Sequence, residues 1–361
     1  MTLVRTPMTE ELADDLGHAR RRWTTVVWLA GLGAVLIGVV VCACGIGPVT
    51  VPPSTVARIV GHHLVGIPGG QDWTAAQDAI VWRVRVPRVL LGALAGAGLA
   101  VSGAVLQTVV RNVLADPHIL GVTSGASTGA ALSLLFGVTA GGGMLSGSAF
   151  LGALIATVLL FAVASSNGHL TSLRLLLGGV TIGYIFSAAT SFLIFASDSP
   201  EGARAVLFWL LGSLGSAAWP AVAATTVAVL GCTAALFLMA TRLDALAVGD
   251  DTARTLGFAP QHWRVAALLV VSLCVGAVVA VAGAIGFVGL IVPHAGRLLA
   301  GGTHRRLLPA SALLGAIFLV IADVVARTAF SPRELPLGIV TAVVGAPLLL
   351  ILIRRFRNPV A

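Results

Sequence analysis

Asp323 lies inside an apolar run, four positions before Arg327. On a helix that spacing puts the two on one face, where they can pair. An ionisable group within such a span is either half of a structural ion pair or a proton- or ion-carrying site. Arg85 and Arg88 stand at the entrance of another apolar run, and Arg327 closes its own. Guanidinium groups at such mouths suit docking of carboxylates, on an acidic partner protein or an anionic substrate. Asn112, Asp116, Thr171 and Ser172 fall at turns, where small polar groups line a pore exit or cap helices. There is no H-E-x-x-H and no pair of acids within a span, so the catalytic pairs of an intramembrane enzyme are missing. His62-His63 lacks further ligands, His294 is isolated, and the four cysteines lack zinc spacing, so no metal site is expected.

All 22 basic residues are arginine. A P-loop needs a lysine on the phosphates and an imine-forming enzyme needs one as nucleophile, so this chain is neither. The net charge of +8 is spread over short loops between apolar runs. That pattern indicates topology and contact with membrane lipid, not nucleic acid.

These residues must be held by helices in a bilayer. The mean hydropathy is +1.00, with 57% hydrophobic and 10% charged residues. A crossing takes ~20 apolar residues, and about ten such segments can be laid along the chain. The expected crossings are 24–44, 88–108, 119–137, 148–165, 175–196, 219–240, 265–283, 283–299, 307–326 and 337–353. The eighth is expected to be interrupted at Pro293-His294, and 205–215 is too short to cross. Residues 1–23 form a polar tail ending in Arg20-Arg21-Arg22, and 24–357 a single transmembrane domain. With the N-terminus inside, ten crossings return the C-terminus inside. Inner segments then hold fourteen arginines against seven outside, the expected bias. Residues 46–82 form an outer segment, with an amphipathic interfacial helix at 54–65 and the His pair in solvated loop.

The one long polar stretch within the domain is 241–264. Gly249 and Gly257 punctuate it, and Leu243, Leu246, Leu256 and Phe258 keep it partly apolar. It is either a solvated loop or a docking element for a soluble partner.

Several motifs resemble one family over nearly the whole chain. They are R-V-P-R at 85–88, S-G-A-V-L-Q at 102–107 and R-N-V-L-A-D-P-H-I-L-G at 111–121. The others are G-F-V-G-L-I-V-P-H-A-G-R at 286–297, A-D-V-V-A-R at 322–327 and E-L-P-L-G-I-V-T-A-V-V-G-A-P at 334–347. The chain resembles the FecCD-type permeases of bacterial ABC importers for iron-siderophores, haem and cobalamin. Val113 departs from the pattern, which usually has Pro after the Asn.

The resemblance implies an all-α protein of type II ABC importer architecture in the bacterial cytoplasmic membrane. It also implies a second permease subunit, identical or paralogous, two ABC ATPase subunits and an extracytoplasmic substrate-binding lipoprotein. No cofactor is expected on this chain; ATP and magnesium belong to the ATPases. By the same resemblance, Arg85, Arg88 and Arg327 receive acidic residues of the binding protein. Asn112, Leu114, Thr171 and Ser172 form the inner gate. Leu246, Gly249, Asp250, Asp251, Arg254, Leu256 and Gly257 belong to the ATPase coupling element. The expected function is import of a ferric-siderophore by alternating access, with haem or cobalamin as alternative cargo. An ion-coupled transporter using Asp323 is the alternative of a different class.

Overall fold

In lipid the backbone must satisfy its own hydrogen bonds, which leaves helices and closed barrels. Among the described residues every regular element of this chain is helical. The computed structural model describes residues 18–47, 49–67, 72–136, 142–165 and 171–357. Most of the 1–23 tail therefore lies outside the described residues, as do Pro68-Gly69-Gly70, Gly141 and the centre of the 165–174 loop.

The first helix, α1 (His18–Gly45), begins before the expected boundary at Thr24 and already includes the arginine triplet. Next comes α2 (Pro53–Val65), the expected amphipathic helix; it carries His62 and His63, which are helical and not in a loop. The short α3 (Ala75–Asp78), a π-helical stretch (Ala79–Arg85) and α4 (Val86–Val110) run on as one element. Then follow α5 (Val122–Leu135), α6 (Gly142–Ala164), α7 (Ser172–Phe195), the short α8 (Pro200–Leu210) and α9 (Trp219–Leu238). The 241–264 stretch contains α10 (Ala240–Val248) and α11 (Asp250–Thr255). The chain ends with α12 (Pro260–Ala282), α13 (Val288–Ala300), α14 (His304–Thr328) and α15 (Leu337–Arg357).

Seven helices of the described residues are long and apolar enough to cross a membrane. The expected eighth and tenth crossings correspond to shorter apolar helices, α13 and the 337–352 part of α15, and the third to α5, of 14 residues. The short segment expected near 205–215 is α8, of 11 residues.

The core is built around α4, which is buried along most of its length against α14, α12, α13 and α9. Its small residues make this possible, since helix association in lipid depends on close packing. At Gly96 a methyl group would lie 2.1 Å from the Gly315 carbonyl oxygen of α14, and at Gly315 it would lie 2.3 Å from that of Gly96. The outer faces of α1 and α7 are apolar and exposed, as lipid-facing surfaces must be.

The eighth crossing breaks elsewhere than expected. Pro293 sits inside a continuous α13, and the chain opens instead at 283–287, where Gly283 and Phe287 take left-handed backbone angles. A proline removes the bond to the carbonyl four residues back. That carbonyl, of Gly289, accepts from Gln107 Nε2 at 3.3 Å, and the Leu290 carbonyl from the same nitrogen at 3.1 Å. Gln107 on α4 thus repairs the gap, and the helix continues. At the true break the Ala282 carbonyl accepts from Ser213 N at 2.9 Å, and His118 Nε2 lies 2.7 Å from the Ile285 carbonyl oxygen. The described residues contain no group of three or more His, Cys, Asp or Glu placed to hold a metal ion.

Candidate functional site

Two polar clusters occupy opposite ends of the antiparallel α4–α14 pair. At one end, α1 finishes with carbonyls that have no intrahelical donor. Arg85 Nη1 donates to the Cys44 carbonyl at 3.0 Å and to that of Gly45 at 2.9 Å, and Nη2 donates to Val49. Arg327 Nη2 donates to the Ala43 carbonyl at 2.7 Å. The two guanidiniums cap α1. Arg88 Nε donates to Asp323 Oδ1 at 2.9 Å, and its Nη1 to Glu334 Oε1 at 2.9 Å. Arg327 Nε lies 3.4 Å from Asp323 Oδ2.

The expected Asp323–Arg327 pair is therefore present, but the carboxylate's hydrogen-bonded partner is Arg88, on another helix. Arg85, Arg88 and Arg327 lie together at this mouth, but their side chains do not stand at the surface. All three are buried, at 5%, 7% and 3% exposure, because the end of α1 and the α14–α15 connection close over them. Glu334, with its side chain 44% exposed, is the member of the cluster open to solvent.

At the other end α4 stops at Arg111, whose φ of 54° turns the chain out of the helix. Asn112 Oδ1 accepts from Leu114 N at 2.9 Å and shapes the turn. Asp116 Oδ1 does the same for His118 N at 2.9 Å. Thr171 Oγ1 caps α7 by accepting from Arg174 N at 3.3 Å. Thr171 and Ser172 line a cavity of about 740 Å³ together with Arg111, Asp250, Arg254 and Arg264. Two of the four expected gate residues thus share one space with the expected coupling element. Asn112 and Leu114 sit on the turn following Arg111 and are not part of that lining.

The expected coupling element is two helices set at an angle by Gly249, with φ 153° and ψ 156°. Leu246 is buried in the core with Leu243, and the two seat α10 against the transmembrane helices. The exposed apolar residues here are Val248 and Leu256. Asp251 is almost fully exposed and pairs with Arg254 at 3.1 Å. Gly257 takes a left-handed φ of 79° and ends the element.

Asp250 binds inward. It accepts from Arg264 Nη2 at 2.8 Å, at the start of α12, and from Arg111 at the end of α4. Burial raises its pKa, but the hydrogen bond and charge of Arg264, with the fields of Arg111 and Arg254, hold the carboxyl below the usual range. It is an anion that ties α11 to both helices. In the sequence Asp244, Asp250 and Asp251 are seen to lie among Arg242, Arg254 and Arg264, but which of them pair is not, and neither Arg111 nor His304 is recognised as their partner. A histidine opening a helix just after Gly301-Gly302 was the available signal.

A φ of 153° favours glycine, so Gly249→Ala should strain the α10–α11 junction by ~1–3 kcal/mol. Space is not the obstacle, since the nearest atom to an added methyl is 3.8 Å away. The expected result is a folded protein with reduced uptake per ATP hydrolysed by the assembled transporter. Unchanged stoichiometry would separate this junction from coupling.

The profile of the FecCD transport family matches residues 11–355. The cobalamin import system permease protein BtuC of Halobacterium salinarum is 41% identical, over 91% of this chain and 96% of its own length. The vitamin B12 import system permease protein BtuC of Citrobacter koseri is 37% identical, over 92% and 95%. The molybdate import system permease protein MolB of Haemophilus influenzae is 35% identical, over 91% and 96%. Among solved structures, a metal-chelate type ABC transporter in an inward-facing conformation matches with a TM-score of 0.79 and 34% identity, covering 91% of this chain and 98% of that one. With ten helical segments in the expected order and a family match over nearly its whole length, this chain belongs to the FecCD transport family, the permease subunits of ABC importers.

Proposed function

We propose that this chain is the permease of an ATP-driven importer for a large metal chelate, with a cobalamin-type corrinoid ahead of the ferric-siderophore expected from the sequence. Support for the cargo comes from the relatives: the proteins at 41% and 37% identity are named for cobalamin or vitamin B12. Haem remains within the same chemical class. The permease named for molybdate favours a second reading, a compact oxyanion.

In this reading two permease subunits enclose the pathway, and two ATPases sit beneath the 241–264 elements at the cytoplasmic face. A substrate-binding lipoprotein docks at the Arg88 end, which faces outward, and both chain termini are cytoplasmic. The observation that carries the mechanism is Asp250. It fastens the exposed helix α11 to Arg111, at the foot of α4 beside the Asn112 turn, and to Arg264 at the foot of α12. When ATP draws the ATPases together, displacement of α11 moves the gate region with it. Docking by Arg85, Arg88 and Arg327 proceeds through the field of the buried cluster and through its surface carboxylate Glu334. Three arginines against two acids leave that cluster with net positive charge.

The cargo is tested in a strain lacking its own corrinoid, siderophore, haem and molybdate permeases, restored with this chain and its partner subunits. Labelled cobalamin, a ferric-siderophore, haem and molybdate are offered in turn. Uptake of cobalamin is the expected result. Uptake confined to a ferric-siderophore or to molybdate would overturn the corrinoid assignment.

A further inference from the structure

His304, the first residue of α14, is 1% exposed and uses both ring nitrogens. Nδ1 lies 2.5 Å from Asp244 Oδ1 on α10, and Nε2 lies 2.9 Å from Thr108 Oγ1 in the last turn of α4. The backbone N–H of His304 also donates to Asp244 Oδ1 at 2.9 Å. The residue before it, Thr303, makes no side-chain cap for α14. Asp244 therefore supplies that cap from a different helix, where a carboxylate also meets the positive end of the α14 dipole. Three elements converge on one imidazole: the coupling helix, the foot of α4 and the start of α14.

The same two transmembrane helices are pinned twice more. They touch backbone to backbone at Gly96 and Gly315, and Arg88 clasps Asp323 at the far end. At 1.5 Å per residue, the 25 residues of α4 span about 37 Å. The pair has the fixings of a strut: locked at both ends and in the middle, with α10 attached at its foot.

We propose that Asp244–His304–Thr108 is the joint through which movement of the coupling helix α10 passes into the α4–α14 pair, and along it to the Arg88 mouth. This rests on the reading of 241–264 as the ATPase-facing element. His304 is then a positioning residue for transport. Its task needs both ring nitrogens, because one holds α10 and the other holds α4. Asparagine places an amide nitrogen near Nδ1 and glutamine places one near Nε2; neither spans both ends.

The test uses the complete transporter in proteoliposomes, with ATP hydrolysis and cargo uptake measured side by side for the parent, His304→Asn, Thr108→Val and Thr108→Ser. Thr108→Val keeps the side chain's shape and removes only the hydroxyl, so it reports even where the histidine variant fails to assemble. Coupling free energies between sites amount to roughly 5–150-fold, so His304→Asn and Thr108→Val should lower uptake per ATP hydrolysed by about tenfold, with hydrolysis within about twofold of the parent. Thr108→Ser, which keeps the hydroxyl, should restore the ratio. A parental ratio in Thr108→Val, or uptake and hydrolysis falling together in both variants, would overturn the joint. Absence of ATP-driven uptake by the parent itself would overturn the underlying coupling reading, and the joint with it.

Discussion

Asp323→Asn is expected to remove most of the folded protein from the membrane. The carboxylate is 1% exposed and lies between Arg88 and Arg327, both themselves buried. Neutralising it leaves two guanidiniums facing each other without their shared anion. Breaking one side of a buried ion pair costs ~3–5 kcal/mol, against a total stability of about 5–15 kcal/mol for a typical domain. The measurement is the yield and thermal midpoint of detergent-extracted protein, with a marked fall in both expected. Adding Arg88→Gln removes one of the two facing cations and should recover part of the loss. A normally folded Asp323→Asn protein that fails to transport would instead point to Asp323 as a coupling-ion site.

Gly96→Ala should be nearly as damaging, although it adds one methyl group. That methyl would meet the Gly315 carbonyl oxygen at 2.1 Å, its carbon at 2.6 Å and Leu319 Cβ at 2.9 Å. Two of the three are backbone and cannot rotate away, so α4 and α14 must separate. Overpacking costs ~1–3 kcal/mol where side chains can yield, and here the cost should reach or exceed the top of that range. Gly31→Ala on α1 is the control, since nothing lies within 4 Å of its added methyl. Replacing glycine by alanine within a helix gains up to ~1 kcal/mol, so Gly31→Ala should leave the thermal midpoint unchanged or slightly raised. Equal midpoints for Gly96→Ala and the parent would contradict the close α4–α14 contact.

Much of the architecture was legible because hydropathy reports directly on what lipid requires. The order of apolar segments, the short α8 and the Gly249 break within 241–264 can all be read from composition and spacing. The break in the eighth crossing was misplaced because the effect of Pro293 depends on Gln107, 186 positions earlier, filling the hydrogen bond that proline leaves. The burial of Arg85, Arg88 and Arg327 was not legible for a related reason. Charge rules describe which side of the membrane a loop occupies, not which helix end folds over it. Asp323 was recognisable as needing a partner, and the nearest in sequence, Arg327, was chosen; the hydrogen-bonded one, Arg88, is 235 residues away. Leu246 and Leu256 look alike in sequence, yet one is core and the other exposed, because the turn at Gly249 rotates α11 away from α10.

In the proposed function, ATP hydrolysed on partner subunits drives this permease. The most direct test reconstitutes the complete transporter in sealed proteoliposomes and follows cargo accumulation with ATP supplied on the ATPase side, with and without a protonophore. Accumulation should require ATP and be indifferent to the protonophore. Accumulation that proceeds without ATP on an imposed proton gradient, and collapses with the protonophore, would contradict it and return Asp323 to the centre of the mechanism.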